Sequence, residues 1–412
     1  MRIAIYWEQE SWGGVDTHLL ELLSNWPDPV DEFVLFYNVG NQGFERVRPY
    51  LERLRHVRCI GVLSCSHNEL VRRFRTAPGY RFFLRYLIYG LRPLTFLMMA
   101  RRLKRVFTEA GRFDLLLSDN GGYPGSLGCI SALVAATQAG IGARVLLVHH
   151  EATRPAPFMG WFERYVDHVV TTQASVVACV SDATRQSLLE RRTLDSHLVR
   201  FRIIHHGIVA TTEAVERVDL RRLAGAAEDD LLIGIAGRVE AYKGHEDLIF
   251  ALARLDAGAR RRLKLLVIGT GEPEEQARLE RLAVQMGVRD RVAFLGYCPG
   301  RPADFIAQLD LLVVATRGFE GFGLTILEAM QVGTPVLATR IGAIPEFVDE
   351  STGWLVAPGS PQELAEALND FMRQRQEWQQ RTARAQDRAK RLGSLMVREY
   401  HRLLAEAVAL NS

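Results

Sequence analysis

The chain has 412 residues, of which 48% are hydrophobic and 24% are charged. These proportions are ordinary for a globular protein and exclude a fibrous or largely disordered chain, and the length predicts two or three domains. The formal net charge of +3 is too small to indicate nucleic-acid binding by itself.

The cysteines are odd in number and contain no C-x-x-C pair, which argues against a disulfide framework and against a structural zinc site. They are Cys59, Cys65, Cys129, Cys179 and Cys298. The N-terminus enters a predicted strand directly, without the charged and then apolar layout of a signal peptide. No apolar run approaches the roughly 20 residues of a membrane-spanning helix. We therefore expect reduced thiols and a cytoplasmic protein.

Short apolar runs alternate with helical periods along the chain, and several of the runs are apolar throughout. Strands of this kind are buried on both faces, which predicts parallel sheets covered by helices, an α/β fold. The predicted strands of the first half are Ile3–Trp7, Phe33–Tyr37, Leu115–Leu117, Val145–Val148, Val176–Val180 and Phe201–Ile204. Those of the second half are Leu232–Ala236, Leu265–Ile268, Val292–Leu295, Leu311–Val314, Val336–Ala338 and Gly353–Val356.

Both halves follow the same pattern, which predicts two Rossmann-like parallel-sheet domains facing each other across a cleft. We place the first domain at residues 1–209 and the second at residues 210–385. Residues 386–412 are predicted to form a helix that packs back on the first domain. Ligands of open parallel sheets bind outside the carboxyl ends of the strands, so the strand-to-helix turns are where we expect the chemistry.

Two strand-to-helix turns of the first half carry candidate functional residues. Gly13 and Gly14 open a helix after the first strand, which suits an anion, although a glycine turn that merely packs fits the pattern equally well. His149 and His150 end another buried strand, where an imidazole can carry a proton or donate a hydrogen bond near neutral pH. A histidine that only stabilises the structure is the alternative reading.

The second half places two cations in one turn after a buried strand. Arg238 and Lys243 are five residues apart, between Gly237 and Gly244. A guanidinium can grip phosphate oxygens through two hydrogen bonds, and an ammonium adds a point charge. The pair would neutralise a diphosphate and stabilise it as a leaving group. Gly271, in the turn after the next strand, is a candidate for a backbone contact or a plain turn residue.

The stretch from Glu320 to Glu328 gives the strongest functional signal. It follows a buried strand, opens with a glycine-rich loop and runs into a helix that is predicted to begin near Leu324. Backbone N–H groups at such a helix start form a seat for phosphate. The two carboxylates are eight residues apart across a loop and a helix start, so they are not expected to flank one bond as a glycosidase pair does. We therefore expect Glu320 to accept from a sugar hydroxyl and Glu328 from a ribose hydroxyl.

These residues resemble the family 4 glycosyltransferases, which have the GT-B fold. The resemblance rests on the glutamate-x7-glutamate element at 320–328, on Gly333-Thr334-Pro335-Val336 and on Gly342-Ala343-Ile344-Pro345-Glu346 after it. The turn that holds Arg238 and Lys243 resembles the diphosphate clamp of the family. Gly13-Gly14 resembles its N-terminal glycine turn, and His150 resembles its cleft histidine. The resemblance implies a nucleotide-sugar donor, held mainly by the second domain, and transfer with retained anomeric configuration.

The resemblance also implies the site residues. His150, Glu320, Arg238 and Lys243 are expected to be catalytic. The donor is expected to contact Gly13, Gly14, Arg238, Lys243, Gly271, Tyr297, Glu320, Gly321, Phe322, Gly323, Leu324, Thr325 and Glu328. No metal and no other cofactor is expected, and the sequence contains no Asp-x-Asp.

Three positions depart from the pattern of the family. Thr325 stands where proline is common, and Ala315-Thr316 replaces a frequent Pro-Ser. His206-Gly207 replaces a usual Asn-Gly near the domain junction. The departures leave the donor, the acceptor and the choice between His149 and His150 open.

Residues 71–112 combine many basic residues with aromatic and aliphatic ones and contain a single acid, Glu109. Such a segment suits an anionic lipid surface, and we expect it to hold the protein at the inner face of the membrane. Nucleic acid would suit the same composition, but the turn motifs do not support it. A partly buried helix pair with a solvated basic face is the structural alternative.

Taken together, the motifs predict a retaining hexosyltransferase that moves a sugar from a nucleotide sugar to a hydroxyl of a glycan or lipid-linked acceptor. Bacterial cell-surface polysaccharide synthesis is the expected role. A nucleotide-sugar-binding protein without turnover is one alternative. A GT-B epimerase or phosphorylase is another, although Glu328 argues for a ribose.

Overall fold

The computed structural model describes residues 1–9, 13–74, 76–77, 84–209 and 218–411. The chain forms two compact units. The first unit comprises Met1–His206 and Leu395–Ser412, and the second comprises Gly207–Ser394.

The first unit is built on a parallel sheet of seven strands in the order β3-β2-β1-β4-β5-β6-β7. Its strands are β1 (Arg2–Trp7), β2 (Glu32–Asn38), β3 (Val57–Val62), β4 (Leu115–Asn120), β5 (Ala143–Val148), β6 (Val176–Cys179) and β7 (Phe201–Ile203). Its helices are α1 (Gly14–Ser24), α2 (Gln42–Leu51), α3 (His67–Phe74), α4 (Arg85–Gly90), α5 (Arg92–Ala110), α6 (Leu127–Gln138), α7 (Gly160–Gln173) and α8 (Asp182–Arg191). A 3₁₀ turn at Pro157–Met159 precedes α7.

The second unit has a parallel sheet of six strands in the order β10-β9-β8-β11-β12-β13. Its strands are β8 (Leu231–Ala236), β9 (Leu263–Ile268), β10 (Val292–Gly296), β11 (Leu311–Val314), β12 (Val336–Thr339) and β13 (Trp354–Val356). Its helices are α9 (Leu220–Leu223), α10 (His245–Arg254), α11 (Ala257–Arg261), α12 (Pro273–Gln285), α13 (Pro302–Ile306), α14 (Leu324–Val332), α15 (Ile344–Phe347) and α16 (Pro361–Arg373). Two 3₁₀ turns lie at Ala241–Lys243 and Arg289–Arg291.

Burial explains why the sheets are parallel and covered. All residues of β4, β9, β11 and β12 are buried, because helices pack on both faces of each sheet. Each unit has its own hydrophobic core. The predicted α/β class with two Rossmann-like parallel sheets is confirmed.

One strand differs from the sequence-based prediction. The strand β3 has no predicted counterpart, because its residues Val57–Val62 are mostly half-buried or exposed and include Arg58 and Gly61. The last helix, α17, spans Arg375–Ala409. The first part of α17 belongs to the second unit, and residues from Leu395 onward belong to the first.

No helix in the described part of the chain is both long enough and apolar enough to cross a membrane.

Candidate functional site

The candidate site of the second unit lies at the carboxyl edge of its sheet. The strands β8 and β11 are neighbours in that sheet and run parallel, so the turns that follow them meet at the same edge. Arg238 and Lys243 follow β8, and Glu320 follows β11.

The turn after β8 holds Arg238 and Lys243 at its two ends. The Arg238 side chain is 61% exposed, and its guanidinium lies 2.8 Å from the carboxylate of Glu240 and 3.4 Å from the hydroxyl of Tyr242. The Lys243 ammonium lies 5.1 Å from the ring centroid of Tyr242, a cation–π contact. Tyr242 therefore lies between the two cations and contacts both.

The two motif turns are joined by an ion pair. Lys243 Nζ donates to Glu320 Oε2 over 2.7 Å, although the residues are 77 positions apart in the sequence. The side chains are 23% and 14% exposed, so the pair is shielded but still reaches solvent. Burial lowers the pKa of Lys243, but the neighbouring Glu320 and Tyr242 raise it more, so the pKa is raised overall and the lysine is a cation at neutral pH.

The Glu320 loop is held by a side chain of its own, that of Thr316, and by the turn after β12. Thr316 donates its hydroxyl to Glu320 Oε2 over 3.3 Å, and Ala343 donates its N–H to the Glu320 carbonyl over 2.9 Å. Gly342 has a φ of +54°, and a Cβ there would lie 2.2 Å from the same carbonyl oxygen. Glu320 is thus held by the turns after β8 and β11 at its carboxylate and by the turn after β12 at its backbone carbonyl.

Gly244 allows the turns after β8 and β11 to touch. Its φ is +75°, and a Cβ at this position would lie 1.9 Å from the carbonyl oxygen of Ala315. Any larger residue would push the two turns apart.

We expect Gly244→Ala to destabilise the second unit by about 2–4 kcal/mol, the sum of left-handed backbone strain and overpacking. Urea unfolding followed by tryptophan fluorescence measures this. Gly225→Ala is the matched control, because Gly225 has a φ of +58° with nothing within 4 Å of the added Cβ. The account predicts a clearly smaller loss for the control; equal losses would contradict the steric argument.

The helix α14 begins directly after the Glu320 loop. Gly323, with a φ of +92°, precedes its first residue, Leu324, and Thr325 follows in the first turn. Glu328 lies one turn further along and is 6% exposed. Gly321 and Gly323 are buried. The N–H groups of a helix start and a carboxylate one turn inside the helix are thus held on a single element.

Phe322 packs beneath this loop. Its ring is 3% exposed and stacks on Phe347 with centroids 4.5 Å apart. The ring therefore anchors the loop, which leaves its backbone as the part that can meet a donor.

The remaining predicted donor residues lie on neighbouring turns. Gly271 pairs with Val239 in an isolated parallel bridge beside Arg238, and a Cβ at Gly271 would lie 2.0 Å from the Val239 carbonyl oxygen. Tyr297 follows β10 and is 56% exposed.

The sequence analysis did not predict a cluster of ion pairs that involves Arg317, three residues before Glu320. Arg317 binds Asp247, whose side chain is 1% exposed, and also Glu246, which in turn binds Arg278 over 2.6 Å. Burial opposes ionisation of Glu246, but the two arginines outweigh it and lower its pKa. The acidic residues open α10 and could have been read from the sequence as first-turn acids, but their partners come from distant turns.

In the first unit, Gly13 precedes α1 and donates its N–H to the carboxylate of Asp16. Its φ of −173° is extended backbone, so this glycine is not required by its torsion angle. Burial, opposed by hydrogen bonds to backbone N–H groups, raises the pKa of Asp16 to about 7. Gly14 is the first residue of α1.

The two candidate histidines lie in different surroundings. His149 is 7% exposed, and its Nε2 lies 2.6 Å from Asp119 Oδ1. His150 is half-buried. His149 is thus held in the interior of the unit, which leaves His150 as the imidazole with access to solvent.

The basic segment 71–112 is only partly a solvated face. Arg92 is buried and paired with Glu163, and Ile88, Phe96 and Met99 belong to the interior. The cations and large apolar side chains that are exposed on α4 and α5 are Arg85, Tyr86, Leu87, Leu94, Leu97, Met98, Arg101, Arg102, Lys104 and Arg105. Predicted members that lie outside the described residues are Arg75, Tyr80, Arg81, Phe82 and Phe83.

Exposed aromatic side chains next to α4 and α5 extend this face. Phe158 and Trp161 are 63% and 59% exposed. The ring of Phe158 lies 5.1 Å from that of Tyr89, and Tyr165 lies 5.9 Å from Phe96. Together with the exposed residues of α4 and α5, these side chains form what we call the basic apolar face.

Comparison with known proteins finds a family match within the second unit. Residues 217–391 match the family model for glycosyl transferases group 1. An uncharacterised glycosyltransferase of Methanocaldococcus jannaschii is 34% identical over 151 residues, which are 36% of this chain and 38% of that protein. A D-inositol 3-phosphate glycosyltransferase of Corynebacterium urealyticum is 32% identical over 218 residues, 51% of each chain. The chain thus spans about half the length of these relatives, or less.

A solved structure matches over nearly the full chain. The Anabaena protein HepE, solved in complex with UDP, superposes with a TM-score of 0.74 at 20% identity, covering 98% of this chain and all of that one. This likeness concerns the fold, and the predicted GT-B class is confirmed. With the family match over residues 217–391, the resemblance of the chain to the family 4 glycosyltransferases is confirmed.

Proposed function

We propose that the chain is a retaining glycosyltransferase that moves a hexosyl group from a nucleotide sugar to a hydroxyl of a glycan or lipid-linked acceptor. The observation that carries the proposal is the ion pair of Lys243 with Glu320, which joins the two motif turns at one sheet edge. It brings Lys243, which is proposed to bind the diphosphate, next to Glu320, which is proposed to bind the donor sugar.

The diphosphate would be held by Arg238 and Lys243. Arg238 is exposed and can rotate its planar fork onto two phosphate oxygens, whereas Lys243 is fixed and cationic. As the bond between sugar and phosphate breaks, negative charge grows on the leaving diphosphate, and both cations stabilise it more in the transition state than before. This role needs no metal or other cofactor.

The nucleoside half would extend toward α14. Backbone N–H groups at its start favour phosphate, and Glu328 can accept from ribose hydroxyls. The HepE structure with UDP-glucose supports a nucleotide sugar as the donor class. The names of the D-inositol 3-phosphate glycosyltransferases support a hydroxyl acceptor.

A thermal-shift screen with UDP, GDP, ADP and TDP, followed by the sugar forms of the best nucleotide, tests the donor. We expect one nucleoside diphosphate to raise the melting temperature and its sugar form to raise it further. Product NMR then reports the anomeric configuration, which should match that of the donor. Binding without turnover on any hydroxyl acceptor would favour a binding protein, and a product that keeps its nucleotide would indicate an epimerase.

We further propose that the basic apolar face holds the protein on anionic lipid at the inner face of the membrane, in the synthesis of bacterial cell-surface polysaccharide. Its exposed cations can meet lipid headgroups, and its exposed aromatic and aliphatic side chains can enter the interfacial layer. A lipid-linked acceptor would then be presented beside the protein.

Sedimentation with anionic vesicles at low and high salt tests this face. Arg101→Glu with Arg105→Glu should lower binding at least about 10-fold, at about 1 kcal/mol per basic residue near the surface. The matched control is Arg53→Glu with Arg55→Glu, two exposed arginines of the first unit outside the face. Equal binding of the two double variants, or no binding of the parent protein at either salt concentration, would contradict the proposal.

A further inference from the structure

Four buried side chains of the first unit form a line that the glycosyltransferase proposal does not use. They are Asp119 on β4, His149 after β5, His206 after β7 and His18 on α1. All are at most 7% exposed. His206 stands where the family resemblance leads one to expect asparagine, so the line is a property of this chain.

The contacts run from one side chain to the next. Asp119 Oδ1 lies 2.6 Å from His149 Nε2, and His149 Nδ1 lies 3.0 Å from His206 Nε2. His206 Nδ1 then lies 2.8 Å from His18 Nδ1. Because each inner imidazole spends its two nitrogens on two different neighbours, the three rings do not converge on one point, and the arrangement does not form a metal site.

The direction of each hydrogen bond follows from Asp119, the residue at one end of the line. With Asp119 ionised, His149 Nε2 must donate, so a neutral His149 accepts at Nδ1. His206 then donates from Nε2 and accepts at Nδ1, and His18 donates from Nδ1. His18 Nε2 is left as an acceptor, and it is buried without a hydrogen-bond partner among the described residues.

The surroundings favour uncharged rings. Burial first, and then the neighbouring histidines, lower the pKa of His18 and of His206 well below the ordinary value. Among the described residues, Asp16 on α1, Cys129 on α6 and Tyr400 on α17 interact electrostatically with Asp119, and His205 does so with His206. Arg46 on α2 acts on Asp16, and Cys179 on β6 acts on Tyr400. The Tyr400 ring lies 5.2 Å from that of His18, and its buried hydroxyl also has no partner among the described residues.

We propose that Asp119, His149, His206 and His18 form one directional hydrogen-bond wire, which fixes the tautomer of His149 and positions the end of β5 that carries His150. The histidines of the wire are positioning residues. The backbone of His149 is bound as well, since its N–H donates to the carbonyls of Asn120 and Gly121 over 3.3 and 3.0 Å.

The wire has an acid limit. In the folded protein, burial and the neighbouring histidines disfavour a charge on His18 and His206. The unfolded chain therefore binds more protons than the folded protein below about pH 6.5. The contribution of these two histidines to the free energy of unfolding is therefore fully present above pH 6.5, and it is lost as the pH falls below that value. With His18 and His206 both uncharged in the fold, the unfolding equilibrium constant rises by up to about 100-fold per pH unit.

Long-range ¹H–¹⁵N NMR of ¹⁵N-histidine-labelled full-length protein tests the wire without donor or acceptor, and so independently of the proposed function. Among the 11 histidines, we expect His18 and His206 to stay neutral from pH 8 to 5.5. His149 and His206 should carry the proton on Nε2, and His18 on Nδ1. His206→Asn should release both neighbours, so that the signals of His149 and His18 shift.

His168→Asn is the matched control, because His168 is exposed on α7, and it should remove its own signal and leave those of the wire unchanged. If His206→Asn does not fold, His18→Asn serves, and His206 should then lose its fixed tautomer. Signals of His149 and His18 that do not change in His206→Asn, or signals of His18 and His206 that titrate near pH 6.5 in the parent protein, would overturn the proposal. So would a melting temperature of His206→Asn that falls between pH 7 and 5.5 as steeply as that of the parent protein.

Discussion

Replacing Lys243 by alanine is expected to lower turnover by about 100- to 1000-fold, the loss seen when one preorganised group that stabilises transition-state charge is removed. The affinity for a nucleoside diphosphate should fall by about 10- to 150-fold, since a charge-assisted hydrogen bond contributes about 1.5–3 kcal/mol. Steady-state kinetics with the donor found in the thermal-shift screen, together with calorimetric titration of its diphosphate, measures both losses.

The variant also removes the partner of the Glu320 carboxylate, so a second change separates stability from catalysis. Lys243→Ala combined with Glu320→Gln leaves no unpaired charge at the pair and should recover any lost melting temperature, but not activity. Lys390→Ala, which removes an exposed lysine of α17 within the second unit, is the matched control. Full activity of Lys243→Ala would show that Lys243 has no catalytic role.

Glu328→Ala should weaken the binding of bare nucleotide by about 10- to 150-fold, because it removes the proposed acceptor of the ribose hydroxyls. Glu320→Ala should leave nucleotide affinity nearly unchanged and lower turnover by about 100-fold or more. The physical reason for the difference is location: Glu328 lies inside α14, whereas Glu320 lies in the loop and contacts Lys243. Titration of the bare nucleotide and kinetics with its sugar form separate the two effects.

Glu328 is buried, so Glu328→Gln is measured beside Glu328→Ala to avoid a cavity. Glu274→Ala, at an exposed helix position of the second unit, provides the control. Equal effects of Glu328→Ala and Glu320→Ala on bare-nucleotide binding would contradict this division of roles.

The fold could be predicted because buried parallel strands read as apolar runs, and this is true of β4, β9 and β11. The approach of Lys243 to Glu320 could be anticipated for a related reason, since both turns follow strands of a parallel sheet. The half-exposed edge strand β3 could not be predicted, because it lacks such a run.

Contacts between side chains that are distant in the sequence could not be predicted. The ring nitrogens of His206 and His18 meet across 188 residues, and nothing local to either residue indicates this. In the same way, Arg92 reads as one of many basic residues of a solvated segment, whereas Glu163, 71 residues away, pairs with it in the interior. A pattern of single residues reports burial by periodicity, but it does not report which buried polar groups satisfy one another.

The most direct test of the account is calorimetric titration of one nucleoside as its monophosphate and as its diphosphate, with the parent protein and with Lys243→Ala. If the second unit holds a nucleotide-sugar donor through Arg238 and Lys243, the diphosphate should bind the parent protein at least about 10-fold more tightly than the monophosphate. That advantage should shrink in Lys243→Ala. Absence of binding by any nucleotide, or equal affinities of the two forms for the parent protein, would contradict the central claim.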